Sequence, residues 1–291
     1  LSNMHSLIHL TNMESTLKTQ YLNAGNITAR INLHAEYSVN KQGWFNWIYE
    51  QSNIQTGQRI LEIGCGDGRL WVDNKNNVRE LSGLQVFLSD ISDGMVNDAR
   101  RNIEAEYANE NGADITAHKT GQSVSFKFNT FDCADIPYRN NYFDIVLANH
   151  VLFYCDNIES VLKEVKRVLK PGGVFICATY GASHMKEISD LVTEFDKRIV
   201  LAADNLYDKF GLDNGEDILI KHFNNVDVRK YNDHLLVDKA EPLIEYILSC
   251  HGNQNQYLLD RYSDFKAFIR NKLARKPFKI TKDAGLFICK D

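Results

Sequence analysis

RILEIGCGDG, residues 59–68, passes from a short apolar run into a loop with glycine at every second position, and a helical segment follows. An apolar strand that ends in such a turn and opens a helix belongs to a parallel α/β sheet, where glycine lets a ligand approach the backbone closely. A GxGxG turn also serves dinucleotide enzymes and occurs with no ligand at all, so the charges around it matter. Glu62 and Asp67 bracket the loop, and the nearby cation, Arg69, falls in the helix. A pyrophosphate would meet carboxylates there. A sulfonium or an ammonium group would instead gain roughly 1–4 kcal/mol from opposite charge a few ångströms away. No Walker lysine accompanies the loop, which argues against a nucleotide triphosphatase.

Outward from this loop, apolar runs at Leu84–Ser89, Ser123–Phe131, Phe143–Ala148 and Gly173–Thr179 alternate with helix-period segments. That alternation between residues 58 and 180 predicts a doubly wound, Rossmann-like α/β sheet with helices on both faces. Asn157 to Lys170 puts Ile158, Val161, Leu162, Val165, Val168 and Leu169 on one helix face, with Asp156 or Asn157 as N-cap and Pro171-Gly172-Gly173 as the stop. The polar stretch Asn109 to Gln122 reads as a surface loop insertion. Residues 1–54 and 181–275 are mostly helical in pattern, apart from a strand at Val226–Tyr231. Lys279 to Lys290 reads as a closing hairpin around Asp283-Ala284-Gly285.

Composition agrees with an ordinary globular chain. Of 291 residues, 44% are hydrophobic and 24% charged, and the formal charge of −5 supplies no field toward nucleic acid or anionic lipid. The basic run Lys272 to Lys279 reads as a solvated helix end. Cys65, Cys133, Cys155, Cys177, Cys250 and Cys289 form no CxxC, and they read as small buried residues in a reducing cytoplasm. The opening LSNMHSLIHLTNM lacks the basic and apolar regions of an export signal, and nowhere do enough apolar residues run together to span a membrane. His5 and His9 sit four apart without a third ligand, so no metal site is expected.

Beyond the loop, residues suited to a nucleoside recur. Asp90 ends the second run, about 20 residues past the glycines, where a carboxylate accepts hydrogen bonds from both ribose hydroxyls; it also suits a helix cap, a role that Ser92 can fill instead. Met95 packs either on the sugar or on the core. After the third run, in Asp132-Cys133-Ala134-Asp135, a carboxylate at Asp132 can accept the adenine amino proton while the Cys133 amide donates to a ring nitrogen. Asp132 is equally suited to a plain turn.

In order, LEIGCGDG, SDISDGM, FDCADIPY, FDIVLANHVLFYCD and VKRVLKPGG resemble the motifs of class I S-adenosylmethionine-dependent methyltransferases. The likeness covers residues 58–180, and Ala148 to Met185 is similar to the bacterial small-molecule branch. The resemblance implies a seven-stranded, mostly parallel sheet with one antiparallel strand, to which Gly285-Leu286-Phe287 is similar. It also implies S-adenosylmethionine as cofactor, S-adenosylhomocysteine as product and a small-molecule partner rather than nucleic acid or a membrane. By the same resemblance Glu62, Gly64, Cys65 and Gly66 lie along the methionine and ribose, Asp90 holds the ribose, and Ile91 covers an adenine face. Asp132 and the Cys133 amide read adenine, and the backbone near Asn149 meets the methionine amino group. The organisation expected is an N-terminal helical lid over residues 1–54 and a cofactor-binding domain over 55–291, with helical insertions at 182–275 capping the substrate.

Methyl transfer is an in-line displacement at a sulfonium, so positioning and exclusion of water do most of the work, and a strong base is needed chiefly for hydroxyl or protonated-amine acceptors. His150, Tyr154, Tyr180 and His184 lie at or beyond the carboxyl ends of the fourth and fifth runs, the ligand-binding edge of such sheets, and are the acceptor-side candidates. Many members of the family carry histidine where this chain has Tyr154, which leaves a histidine base there in doubt. From the lid, His34 and Tyr37 are the expected cofactor contacts, whereas Trp44 and Trp47 suit core packing. Leu235-Leu236-Val237 with Leu243, Tyr246 and Ile247 would form an apolar acceptor wall. A protein that binds the cofactor without turning it over and, on the same architecture, a nicotinamide-dependent oxidoreductase are the competing readings.

Overall fold

The computed structural model describes residues 26–107, 124–202 and 205–291. The expected loop insertion at 109–122 and the leader with His5 and His9 lie outside these residues.

The strands are β1 (Arg59–Ile63), β2 (Leu84–Asp90), β3 (Val124–Thr130), β4 (Phe143–Asn149), β5 (Leu169–Tyr180), β6 (Asn225–Val237) and β7 (Phe278–Lys290). They form one seven-stranded sheet in the order β3-β2-β1-β4-β5-β7-β6. The pairs β1 with β2, β1 with β4, β2 with β3 and β4 with β5 are parallel. β7 runs antiparallel to β5, with Cys177 opposite Phe287 and Thr179 opposite Gly285. The chain therefore starts in mid-sheet and winds outward both ways. Its reversal between β1 and β4 opens a crevice at the carboxyl ends of those strands.

All the residues of β1 after Arg59 are buried, as a central strand covered on both faces must be. On one face lie the helices α2 (Trp44–Ser52), α3 (Arg69–Asp73), α4 (Lys75–Arg79) and α5 (Asp93–Tyr107), whose Trp47, Trp71, Val78, Ala99 and Ile103 share a core with Ile60 and Leu88. On the other, α6 (Ile158–Val168) buries Val161, Leu162, Val165 and Val168 against Leu61, Val146 and Phe175. Each such side chain contributes about 1.5–3 kcal/mol by leaving water. Asn157 caps α6 by accepting from the Ser160 N–H at 3.1 Å. The helix stops when Leu169 turns extended, so the Pro171-Gly172-Gly173 stretch belongs to the strand that follows. Both tryptophans pack as expected, Trp47 buried and Trp44 stacked upon it at 5.4 Å between ring centroids.

Two expectations are corrected. Lys279 to Lys290 is no hairpin but part of the single strand β7. Gly285 serves there for proximity rather than turning, because a Cβ would lie 2.4 Å from the Arg229 carbonyl oxygen. The strand begun at Val226 also does not end at Tyr231; β6 continues to Val237 and takes in Leu235-Leu236-Val237, residues placed above in a helical region.

The chain divides into two compact units. One comprises residues 42–182, 206–231 and 284–291; the other comprises residues up to 41, 183–205 and 232–283. In the second, α1 (Asn26–Tyr37), α7 (Lys186–Phe195), a helix over Ala240–Leu248 and a helix over Tyr262–Leu273 enclose Leu33, Ile188, Leu243, Ile247 and Phe265. It also buries an ion pair, Lys282 Nζ to Asp233 Oδ2 at 2.7 Å, with the two side chains 8% and 0% exposed. Ser38 Oγ donates to the same carboxylate, and the Asn40 N–H donates to Oδ1 at 2.8 Å. With these partners the carboxyl of Asp233 stays below its ordinary pKa despite burial. Among the described residues no helix is long and apolar enough to cross a membrane.

Candidate active site

The loop after β1 has positive φ at Gly64, Gly66 and Gly68 (66°, 54° and 77°). Gly64 has no room for a side chain, since a Cβ would stand 2.3 Å from Val151 Cγ2. The Cys65 N–H donates to the Ser89 carbonyl at 2.8 Å, and the Gly66 N–H donates to Asp90 Oδ2 at 3.2 Å, so the end of β2 holds the loop. Asp90 Oδ1 accepts from the Ser92 N–H at 3.0 Å, and Ser92 Oγ accepts from the Met95 N–H at 3.4 Å, which makes Ser92 the cap of α5. A carboxylate oxygen has two acceptor positions, so Asp90 keeps capacity for two further donors.

Beside this loop lies a cleft of about 450 Å³. Of the expected residues, Gly64, Asp90, Ile91, Asp132, Cys133, His150 and Tyr154 line it. Ile91 is 74% exposed there, and Met95, at 38%, does not belong to the core. Asp132 makes its turn as well, accepting from the Ala134 N–H at 2.9 Å. Val151 and Cys155 also line the cleft, and the sequence reading did not place either there. Cys155 Sγ lies 3.6 Å from Cys133 Sγ. All six cysteines are free, but only Cys65, Cys177 and Cys289 are buried, which corrects the expectation for Cys133, Cys155 and Cys250.

Glu62 stands two residues before Gly64, 2% exposed. Trp71 Nε1 donates to its Oε2 at 2.6 Å and Asn149 Nδ2 to its Oε1 at 3.0 Å. Burial raises its pKa to about 7, against the pull of those two hydrogen bonds, and Asp67 and Asp90 add to the rise. Asn149 Oδ1 is buried with no hydrogen-bond partner. A buried acceptor without a donor costs about 1–3 kcal/mol. An acceptor lacking its donor, next to a carboxyl that burial keeps from ionising freely, fits an incoming ammonium group, which brings both donors and positive charge.

His150 follows Asn149 in the left-handed region, φ 56°, with its N–H donating to the Ala178 carbonyl at 3.0 Å. Its ring stacks on Trp44 at 5.3 Å and lies 6.0 Å from Tyr180. Burial lowers its pKa to about 4, so the imidazole is neutral at neutral pH. Burial raises Tyr180 to about 12, with Tyr154 and Tyr207 adding to it, so that phenol keeps its proton. Tyr154 is 68% exposed.

The remaining expected residues, His34, Tyr37 and His184, belong to the second unit. His34 Nδ1 is buried without a hydrogen-bond partner, and burial, then Lys282, lowers its pKa to about 4 while Asp233 opposes. Tyr37 is 7% exposed, within that unit's core.

Residues 61–177 match the family model described as a methyltransferase domain. Sterol 4-C-methyltransferase strm-1 of Caenorhabditis elegans is 32% identical over 129 residues, 44% of this chain and 33% of that protein. The demethylmenaquinone methyltransferase of Symbiobacterium thermophilum is 31% identical over 137 residues, 46% of this chain and 48% of that protein. The chain thus spans about half or less of the length of these relatives. Among solved structures, the YcgJ protein of Bacillus subtilis superposes with a TM-score of 0.50 at 15% identity, covering 84% of this chain and 97% of that one. Phosphoethanolamine N-methyltransferase 2 of Haemonchus contortus, solved with S-adenosyl-L-methionine, gives 0.50 at 19% identity, covering 91% and 56%. At such identities the likeness speaks for the fold.

Proposed function

We propose that this chain, which carries a class I S-adenosylmethionine-dependent methyltransferase domain over residues 61–177, transfers the methyl group of S-adenosylmethionine to an oxygen, nitrogen or carbon of a small-molecule acceptor. The observation that carries the reading is the acidic, phosphate-averse end of β1. Glu62 is buried, Asn149 Oδ1 waits for a donor, and Asp90 ties the glycine loop to the cleft wall. The sterol and menaquinone enzymes named above act, by their names, on small molecules, which supports that class of acceptor.

Asn149 and Glu62 are the residues that would receive the methionine ammonium group. Asp90 would accept from the ribose hydroxyls with its remaining lone pairs, Ile91 would cover an adenine face, and Asp132 with the Cys133 amide would read the adenine edge. When bound, S-adenosylmethionine supplies an electrophilic methyl group on a positively charged sulfur. The chain's task is then alignment in a cleft from which water is excluded. His150, being neutral, offers a lone pair that orients an acceptor proton, and its low basicity makes it an orienting group rather than a strong base. Tyr154 and Tyr180 would bound the acceptor, Tyr180 as a protonated phenol.

Equilibrium titration tests this. Saturable binding of S-adenosylhomocysteine is expected, with no saturation by NADH. Asp90→Ala should weaken the binding by about 1–3 kcal/mol, the cost of unmade hydrogen bonds to a charged group. Saturation by NADH alone would replace the reading with an oxidoreductase.

A further inference from the structure

Cys133 and Cys155 face one another in the cleft, and nothing in the proposed transfer uses either thiol. Cys133 follows β3 in the stretch assigned above to adenine, whereas Cys155 comes from the turn before α6. Their sulfurs are 3.6 Å apart, and each residue is half-buried, so a small solute can reach both. We propose that this pair is an oxidisable dithiol whose conversion to a disulfide by a hydroperoxide closes the adenosine end of the cleft; the second clause rests on the methyltransferase reading.

The chemistry balances with hydrogen peroxide as oxidant. The Cys155 thiolate attacks one peroxide oxygen, the O–O bond breaks, and the departing hydroxide takes a proton to leave as water. The sulfenic acid so formed on Cys155 is then attacked by Cys133. The S–S bond forms, the S–O bond breaks, and hydroxide leaves with the Cys133 proton as a second water. Two thiols are oxidised by two electrons and one peroxide is reduced.

The order of attack follows from the surroundings. A hydrogen bond from Cys133 favours the thiolate at Cys155, burial and Asp132 oppose it, and the Lys209 ammonium assists. Cys133 is held as thiol by that same bond and by its own burial. A low-pKa accessible thiol beside a resolving one is the arrangement that reacts with peroxides. The link would join the loop after β3 to the segment after β4. Gly64, Asp90, Asp132 and Val151 line the same cleft, so drawing its walls together removes space that the nucleoside needs.

The test treats the reduced full chain with hydrogen peroxide, with and without S-adenosylhomocysteine. The intact mass should fall by about 2 Da, the loss of two hydrogens. Peptide mapping should join Cys133 to Cys155, and bound ligand should slow the reaction. Affinity for S-adenosylhomocysteine should drop about tenfold or more and return with dithiothreitol. Cys155→Ser should show neither the link nor the reversible loss. Oxygen adducts on these cysteines without a link overturn the proposal, as does a link that leaves affinity unchanged. If the reduced protein fails to bind the ligand, the methyltransferase reading falls, and the mass measurement still decides whether the dithiol forms its bond.

Discussion

Glu62 shows at the scale of one residue how burial sets a charge in the candidate site. Its pKa of about 7 lies above the ordinary 4.5 because burial disfavours the carboxylate. Folding therefore favours the protonated form: this contribution to stability is full below pH 4.5 and is lost as pH rises through 7, by about 3 kcal/mol. A cationic ligand favours the ionised form, so affinity for S-adenosylmethionine should rise with pH through 7 and level off above it. Glu62→Gln should flatten that dependence and weaken binding, yet melt at a higher temperature than the parent at pH 8. A variant that kept the pH dependence would remove Glu62 from the site. The places of Glu62 and Asp90 beside the glycine loop were legible in the sequence because a strand, its glycine turn and the next strand's end are read contiguously. His150 was legible as a position but not in its state, since neither its positive φ nor its packing against Trp44 leaves a mark in local sequence. Cys155 was missed as a cleft residue because its partner is 22 positions away.

At the scale of the element, the glycine loop is shaped by what faces it. Gly64→Ala would force a Cβ into Val151 at a backbone angle that favours glycine, and overpacking of this kind costs about 1–3 kcal/mol. Denaturant unfolding should show that loss. Adding Val151→Ala should recover part of it, while recovery of none would show that backbone strain alone decides. The strands from β1 to β5 and the helix α6 were readable because their apolar periods are clear and the Asn157 cap is local, whereas the junction of α6 with β5 was not, because Pro171-Gly172-Gly173 has the composition of a helix stop yet lies in the strand. β7 was misread for a physical reason: Asp-Ala-Gly has the composition of a turn, but Gly285 is there because the Arg229 carbonyl oxygen occupies the space of a side chain. Turn chemistry and close strand approach select the same residue.

Across the whole molecule, the division into two units interleaves segments distant in sequence, with residues 232–283 grouping with those before 42. Linear reading finds boundaries at changes of pattern, and none marks the passage of β6 or β7 from one unit to the other. The second unit holds the buried Lys282–Asp233 pair, whose rupture would leave an uncompensated charge. Lys282→Met should destabilise it by about 3–5 kcal/mol, read by hydrogen exchange at the amides of residues 232–248; unchanged protection there would mean the pair contributes little. Legible from sequence, then, was the half of the molecule that carries the glycine loop, where motif and fold coincide. The proposed methyl transfer requires the cleft beside Gly64 to receive an adenosine bearing a cationic sulfur. Diffraction from crystals grown with S-adenosylhomocysteine tests it most directly. Density for the nucleoside is expected in that cleft, with ribose hydroxyls on Asp90 and the ammonium group on Asn149 Oδ1. A ligand bound elsewhere, or a cleft filled by a pyrophosphate from an added dinucleotide, would contradict the account.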